Sequence, residues 1–309
     1  YERLGDRHQV GYALSGLSLF YFNAGEVHRG AELAQQALGL ANAVDDDALR
    51  VLASVQVAVP TFYQGQFAVA LDHADAAAAL YDKQRHRWLG YRYGVDQGVA
   101  AHSFAALALM RLGRADAALW RVREAVDLAR SLGDPFTQAY ALFFESAIHW
   151  NRGDHAAQEA TATRLLAIAE EQQFQLFVGL ARIFQGAARA LAGGDADALQ
   201  AVYEGSQLAG ATGFRGGLPA FVCLVAEAQQ AAGLLGDAQG TAAAALTAAA
   251  DTGQRYWDAE IHRVAGELHL ELGDVAAGEA ELRRAWECAR EQDARWPQLR
   301  ASVSLARLL

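Results

Sequence analysis

A short stretch of this sequence concentrates the residue types that proteins use to bind partners. Between Tyr81 and Val99 the chain places its single lysine, three arginines and four aromatic side chains against two acidic residues. Arginine beside aromatic residues is a frequent composition of binding hot spots. The stretch therefore predicts recognition of a partner rather than catalysis. The residues expected to make contact are Arg85, His86, Arg87, Arg92, Tyr93 and Asp96.

Three glycines, Gly90, Gly94 and Gly98, predict that residues 82–98 form an insertion loop with left-handed turns rather than a continuous helix. Loops of this length with such side chains are often functional. Two structural alternatives remain open. The aromatic residues of the loop would plug a widened gap between neighbouring units, or an ion pair between Asp96 and an arginine (Arg87 or Arg92) would simply fix the loop.

The residue types that carry out catalysis or bind metals are scattered over the rest of the chain. His262 and His269 lie seven residues apart on one predicted helix, with no third ligand in the pattern. Cys223 has no evident activating partner, and the glycine-rich segment 213–219 follows no predicted strand. The sequence contains neither GxxxxGK[ST] nor HExxH. We therefore expect no catalytic residues, no metal and no cofactor.

The composition narrows the classes of partner. The 309 residues include 26 basic and 36 acidic side chains, a net charge of −10, whereas a nucleic-acid backbone requires clustered lysine and arginine. We therefore expect no nucleic acid as a partner. The sequence has no run of about 18 apolar residues, so no membrane contact is expected. Two cysteines without a CxxC spacing indicate reduced thiols in a cytoplasmic protein.

The predicted binding stretch interrupts a regular pattern of helices. Seven glycines recur along the chain, and five of the six intervals between them are 40 residues. The exception, from Gly65 to Gly113, is 48 residues and contains the binding stretch. Apolar residues at three- and four-residue steps predict a helix on each side of every glycine turn. The seven glycines are Gly25, Gly65, Gly113, Gly153, Gly193, Gly233 and Gly273.

A second set of turns lies midway between the glycines, for example at Asp45, Gly133 and Gly253. We therefore predict an all-α solenoid of about seven units, each with a helix A, a glycine turn and a helix B. The final segment, which begins at Trp296, predicts helix A of an eighth unit. We expect residues 1–309 to form one domain cut from a larger protein, whose unpaired ends would allow homo-oligomers to form end to end.

Small residues stand at fixed distances from the turn glycines, and such positions let helices approach closely. The residues seven positions before the glycines are Ser18, Ala58, Ala106, Ser146, Gly186, Ala226 and Gly266. This pattern resembles the tetratricopeptide repeat (TPR), although a period of 40 exceeds the roughly 34 residues of that repeat. The resemblance implies a TPR-like right-handed α-solenoid followed by a C-terminal helix.

A more specific resemblance covers nearly the whole chain. The segment 81–119 is similar to part of the TPR regions of bacterial signalling ATPases and class III adenylate or guanylate cyclases. These TPR regions are related to the sensor solenoids of STAND-type regulators. Gln97 departs from the proline that is usual there. The matching residues are Tyr81, Asp82, Gln84, His86, Tyr93, Gly94, Asp96, Gly98 and Val99. The resemblance implies a non-catalytic, regulatory and protein-interaction domain that modulates an attached signalling module.

In TPR-type solenoids helix A lines a concave groove. Bulky residues in the early helices A predict an apolar half-groove, and glutamates of the late helices (Glu227, Glu260, Glu267 and Glu271) predict an acidic half. The groove residues expected to contact a partner are Tyr63, Met110, Tyr140, Phe143 and Trp150. This division would suit a protein or peptide segment, such as an amphipathic helix that carries some basic residues, from another protein or from the same one.

Two alternatives to a peptide-binding groove remain open. Ordinary packing between helices would also place aromatic residues at helical spacing. The alternative function is the sensing of a small-molecule effector. A deep pocket lined by Tyr93, His86 and the helix A aromatics would favour the effector, whereas an open, flat groove would favour a protein partner.

Overall fold

The computed structural model describes residues 6–193 and 196–308, and within these ranges the secondary structure is entirely helical. The A and B helices of the seven units are α1 (Arg7–Asn23) and α2 (Val27–Ala43), α3 (Asp47–Tyr63) and α4 (Phe67–Leu80), α7 (Gln97–Arg111) and α8 (Ala115–Leu132), α9 (Pro135–Arg152) and α10 (His155–Glu171), α11 (Gln175–Gly193) and α12 (Ala196–Ala211), α13 (Leu218–Ala231) and α14 (Leu235–Thr252), and α15 (Asp258–Glu271) and α16 (Val275–Glu291). A final helix, α17 (Arg295–Ala306), follows them. The predicted all-α solenoid of helix pairs is confirmed.

The glycine turns occur where the sequence predicts them. Six of the seven turn glycines have φ between 70° and 89°, a left-handed conformation that a residue with a Cβ adopts only with strain. The turns at the other end of the units are fixed by side-chain caps. Asp46 accepts a hydrogen bond from the backbone N–H of Leu49 at 3.0 Å, and Asp134 accepts one from Thr137 at 2.8 Å.

The predicted small positions are the points where helices A and B of one unit touch. Ser18 donates its hydroxyl to the backbone carbonyl of Gly30 at 2.8 Å. A Cβ added at Gly186 would lie 2.5 Å from the carbonyl oxygen of Ala198, which leaves no room for a side chain. These pairs join the position seven before each glycine to the position five after it, so the repeated spacing is a packing rule.

The insertion differs from the predicted loop. It forms two short helices, α5 (Lys83–His86) and α6 (Trp88–Tyr93), and only Gly94 of its three glycines has a positive φ, at 89°. Gly98 lies in the first turn of α7 because Asp96 caps that helix. The aspartate, rather than the glycines, thus sets where the insertion ends.

The solenoid closes on itself, a feature that the sequence pattern does not predict. Three turns between late units, residues 212–217, 253–257 and 292–296, pack against the C-terminal ends of helices A in the first four units. We call this contact the closing seam. Its hydrogen bonds, each 3.1 Å long, run from Arg215 N to Asn23 O, from Tyr256 N to Tyr63 O and from Trp296 Nε1 to Asn151 O.

A buried arginine and two tryptophans stack within the closing seam. The rings of Trp150 and Trp257 are stacked with their centroids 4.6 Å apart, and the Arg111 guanidinium lies 3.6 Å from the centroid of the Trp257 ring. Arg111 is 2% exposed, and burial lowers its pKa to about 10. The stack therefore holds a cation away from water.

The predicted acidic half-groove is largely offset by arginines, which pair with three of its four glutamates; the fourth, Glu271, accepts a hydrogen bond from Gln230 at 2.6 Å. Arg263 is buried and forms ion pairs with Glu227 and Glu260 at 2.9 Å and with Glu267 at 2.6 Å. Arg300 of α17 adds a contact of 2.8 Å with Glu260. We call these five residues the charge network. They form a compact ionic cluster under the last units rather than a surface that attracts cations.

Candidate functional site

The concave side of the first five units contains an apolar cavity of about 320 Å³, which we call the aromatic pocket. Its helical walls come mainly from α1, α3, α7, α9 and α11, all of them helices A. The aromatic residues that line it are Phe22, Tyr63, Tyr93, Phe104, Phe136, Tyr140, Phe143, Phe144, Phe177 and Phe214. Such a lining favours ligands that carry apolar or aromatic groups.

The structure brings together some of the predicted groove residues and separates others. Tyr63, Tyr140 and Phe143 lie on the pocket wall. Met110 is buried in the core, and Trp150 stacks in the closing seam and donates its indole N–H to Glu227 at 3.2 Å. The last two residues lie in the final turns of α7 and α9, where their side chains face other helices rather than the cavity.

Sequence reasoning identified Tyr140, thirteen residues before a turn glycine, but missed two phenylalanines of the pocket wall. Phe104 and Phe144 each stand nine residues before a turn glycine. Positions four residues apart lie on one face of a helix, so Phe144 points the same way as Tyr140. Phe184 occupies the same nine-residue offset in the next unit, but it is buried in the core and does not line the pocket. The recurrence of phenylalanine would have drawn attention to Phe104 and Phe144 without defining the whole wall.

The pocket is electrically neutral but carries polar groups. Among the described residues, no charged side chain lines it. Burial raises the pKa of Tyr63 and of Tyr140 above the ordinary value of a phenol, so both are neutral at physiological pH. Gln97 donates its Nε2 to the carbonyl of Val95 at 2.8 Å, while its Oε1 is buried and has no partner in the described part of the chain. The pocket therefore combines apolar surface with one unpaired hydrogen-bond acceptor.

The aromatic pocket and the closing seam share residues. Phe214, from the turn at 212–217, lines the cavity opposite the early helices. Phe22 and Tyr63 also line it, and their rings lie 4.8 Å apart. The backbone carbonyl of Tyr63 accepts the seam hydrogen bond from Tyr256. The cavity is therefore enclosed by both early and late units, and its shape depends on the closure.

Hydrogen bonds inside the insertion fix its ends. Tyr81 donates its hydroxyl to Asp96 at 2.6 Å, and Asp96 also accepts from the backbone N–H groups of Gly98 and Val99. The carboxylate is buried, and burial raises its pKa. Four of the residues shared with similar TPR regions, Tyr81, Asp96, Gly98 and Val99, thus join the two ends of the insertion. Neither predicted ion pair of Asp96 with an arginine forms.

The other predicted residues of the insertion lie apart from the aromatic pocket. His86 is buried, accepts the backbone N–H of Asp82 through its Nδ1 at 2.9 Å, and has a pKa lowered by burial. Arg85 pairs with Asp47 at 3.3 Å, and Arg87 donates to the Tyr91 hydroxyl at 2.8 Å. Only Tyr93 of the six predicted residues lines the pocket.

The plug alternative fits only part of the insertion. Tyr91 is 75% exposed, whereas the Trp88 ring, 38% exposed, lies 5.8 Å from the Tyr12 ring, and Tyr93 packs against the core of the first units. Leu89, which is fully buried, is the apolar side chain that anchors the insertion. Tyr91 and the exposed part of Trp88 add apolar surface beside the arginines.

The described residues contain no group of three histidine, cysteine or acidic side chains that could hold a metal ion. His262 binds Glu281 at 2.6 Å, and Cys223 is fully buried with its pKa raised by burial. A buried thiol of this kind is a poor nucleophile. Within the same ranges, no helix is both long and apolar enough to cross a bilayer.

Comparison with known sequences gives one informative relative. No family model matches the chain. An uncharacterized protein of Rhizobium meliloti (strain 1021) is 29% identical over 252 residues, which cover 80% of this chain. The same residues are 24% of that protein, so the chain spans about a quarter of the length of this curated relative.

Several solved structures share the fold. A Rap protein complexed with Competence and Sporulation Factor is 17% identical, with a TM-score of 0.63 over 91% of this chain and 75% of that chain. The Rap conjugation gene regulator of a plasmid, in complex with a Phr peptide, is 12% identical, with a TM-score of 0.58 over 97% of this chain and 96% of that one.

A third similar structure is a STAND (Signal Transduction ATPase with Numerous Domains) protein with a TPR sensor from Pyrococcus horikoshii. It is 12% identical, with a TM-score of 0.54 over 96% of this chain and 47% of that chain. None of these similarities supports the predicted link to cyclases. The chain is an all-α, TPR-like solenoid, with the fold of Rap proteins and of a STAND protein's TPR sensor.

Proposed function

We propose that this chain is a non-catalytic regulatory scaffold that holds an apolar segment of a protein or peptide in the aromatic pocket. The observation that carries the proposal is the cavity of about 320 Å³ on the concave face, with aromatic walls and no charged lining residue in the described chain. Apolar cavities with a few polar groups are the usual form of binding sites.

The size and polarity of the pocket favour a peptide segment. Its volume lies at the lower end of the range for whole drug-sized ligands, so it suits one or two bulky side chains. A rotation of the buried Gln97 side chain would bring its unpaired Oε1 to a peptide N–H and would remove the cost of an acceptor without a partner. Two of the structural neighbours are described in complex with a named factor or peptide, which agrees with this choice.

The regulatory part of the proposal follows from the shared walls of pocket and seam. A segment bound between Tyr63 and Phe214 would contact both early and late units, so it would favour the closed arrangement over an open one. In a longer protein, this shift of the solenoid toward its closed arrangement would change the activity of an attached signalling module. The neighbour described as a STAND protein with a TPR sensor offers a parallel for such an arrangement.

A small-molecule effector is the second candidate. The enclosed apolar cavity favours it, because an open and flat groove would not retain a small ligand. Tyr93 lines the cavity as that hypothesis requires, but His86 does not. A small ligand would occupy the pocket without contacts along the rest of the concave face.

Peptides selected from a displayed random library on the wild-type chain test the proposal. We expect their affinity to fall at least tenfold in Ala100→Phe and in Val59→Phe, because each added ring would occupy the cavity. Ala244→Phe, at an exposed position of α14, is the matched control and should bind normally. Folded pocket variants that retain full peptide affinity would refute the site. If small apolar compounds bound the pocket and no selected peptide did, the small-molecule effector would be the favoured ligand.

A further inference from the structure

We propose that the segment bound in the aromatic pocket is acidic, with an apolar or aromatic anchor in the pocket and an adjacent carboxylate bound by Arg92. This inference rests on the proposed function and specifies the chemistry of its ligand. Arg92 lies at the end of α6, directly before the pocket residue Tyr93.

Contacts with two tyrosines hold the Arg92 guanidinium beside the pocket. Its central carbon lies 5.8 Å from the ring centroid of Tyr93 and 5.6 Å from that of Tyr12. Tyr93 is itself held in place, because its hydroxyl donates to the backbone carbonyl of Tyr12 at 3.2 Å. A cation at this distance from aromatic rings is oriented before any ligand arrives.

Arg92 is exposed and has no carboxylate partner in the described part of the chain. Of the other cations of the insertion, Arg85 pairs with Asp47, while Lys83 and Arg87 donate to the neutral oxygens of Ser131 and Tyr91. Arg92 differs from them in contacting Tyr93, which lines the pocket, so Arg92 is the cation placed to meet an anion there.

The nearby acidic group does not compete for this arginine. Asp46 lies on the hydroxyl side of Tyr12, where it accepts from that hydroxyl at 3.0 Å and from the backbone N–H of Leu49 at 3.0 Å. The described lining of the pocket contains no charge that would repel a carboxylate. In a chain of net charge −10, a local positive site of this kind selects against cationic segments and for an acidic one.

A pair of fluorescent probes of similar shape tests the proposal. 1-Anilinonaphthalene-8-sulfonate carries an anion on an aromatic body, and N-phenyl-1-naphthylamine is the same body without the anion. We expect Arg92→Gln to weaken binding of the sulfonate about three- to fivefold at low salt, with a smaller effect at high salt, and to leave the neutral probe unchanged. Arg87→Gln removes an exposed arginine from the far side of the same insertion and is the matched control.

The results of these titrations separate this inference from the proposed function. Equal effects of Arg92→Gln on both probes, or no effect on either, would overturn the acidic-ligand inference. If Ala100→Phe left the binding of both probes unchanged, the pocket itself would be the wrong site and the inference would fall with it.

Library-selected peptides then distinguish two sources of the carboxylate. Exchange of aspartate and glutamate for their amides should weaken binding to the wild type if a side chain supplies it. Amidation of the C-terminus should do so if the terminal carboxylate is used. In either case the loss should disappear in Arg92→Gln, and its persistence there would overturn the assignment to Arg92.

Discussion

The same substitution at two buried arginines should have opposite consequences. Arg263 and Arg111 are 5% and 2% exposed; Arg263 lies in α15, and Arg111 ends α7 and contacts Trp257 across the closing seam. Arg263 forms three ion pairs within the charge network. Arg111 has no ion pair in the described chain, and both of its terminal amino groups lack hydrogen-bond partners. Methionine is a suitable replacement at each site because it is unbranched and adaptable.

The structure gives the expected magnitudes. Arg263→Met leaves Glu260, which is 2% exposed, with Arg300 as its remaining close ion-pair partner, and breaking such a buried network costs about 3–5 kcal/mol. Burial lowers the pKa of Arg111 from its ordinary value to about 10, which corresponds to about 3 kcal/mol of unfavourable burial. Its stacking on Trp257 returns about 2 kcal/mol. We therefore expect Arg111→Met to change the free energy of unfolding by less than about 1 kcal/mol, or to stabilise the protein.

Urea denaturation monitored by circular dichroism would measure both variants against the wild type. The linear slope with urea should stay the same, so that midpoints can be compared directly. A loss above about 2 kcal/mol in Arg111→Met would refute this reasoning, because it would mean that the buried guanidinium makes favourable interactions beyond the stacking on Trp257. Equal losses in the two variants would do the same.

Three further predictions concern acid stability, the contact that joins the two ends of the insertion, and the wall of the pocket. Burial raises the pKa of Glu260, but the arginines around it outweigh burial and lower it below the ordinary value. The ionised Glu260 therefore stabilises the fold fully above about pH 4.5, and this stabilisation is lost as the pH falls through the lower pKa of the folded state. We expect the free energy of unfolding of Glu260→Gln to fall less than that of the wild type when the pH drops below about 4.5. Gly98→Ala places a Cβ 2.6 Å from the Tyr81 ring and should cost about 1–3 kcal/mol in urea, whereas Gly39→Ala, with open space around it, should be neutral or slightly stabilising. Phe214→Ala should weaken binding of N-phenyl-1-naphthylamine about tenfold with the far-UV spectrum unchanged, and unaltered binding would remove Phe214 from the site.

The repeated units could be predicted because their determinants are local. A turn glycine such as Gly25 requires a left-handed backbone, and the Ser18–Gly30 contact lies within one helix pair. Each unit repeats these constraints at a period of 40 residues, so a turn that is ambiguous in one unit can be located from the same position in the other units. The extra residues before Gly113 form α5 and α6, of which α5 begins at an Asp82 cap, and the Asp96 cap of α7 follows them.

The closing seam could not be predicted from this local pattern, because it joins residues about 190 positions apart, such as Asn23 and Arg215. Periodicity describes how a unit packs on its neighbour and not how far the superhelix curves. A weak signal exists, since arginine recurs at the 40-residue period in the three seam turns as Arg215, Arg255 and Arg295. The pairing of most of the acidic half-groove with arginines was missed for a related reason, since Arg300 comes from the final helix.

The aromatic pocket was predicted in part. Tyr63, Tyr140 and Phe143 were identified because bulky residues were sought on helix A near the turn glycines. Met110 and Trp150, three residues before their turn glycines, are instead buried, and Trp150 stacks within the closing seam. Phe22 stands at the same offset but lines the cavity, so distance from the glycine alone does not decide which side chains face the pocket.

A crystal structure of the chain with a library-selected peptide tests the central claim most directly. We predict that an apolar side chain of the peptide lies between the rings of Tyr140 and Phe143 and that a carboxylate lies at the Arg92 guanidinium. A peptide bound on the convex face, with the aromatic pocket empty, would contradict it.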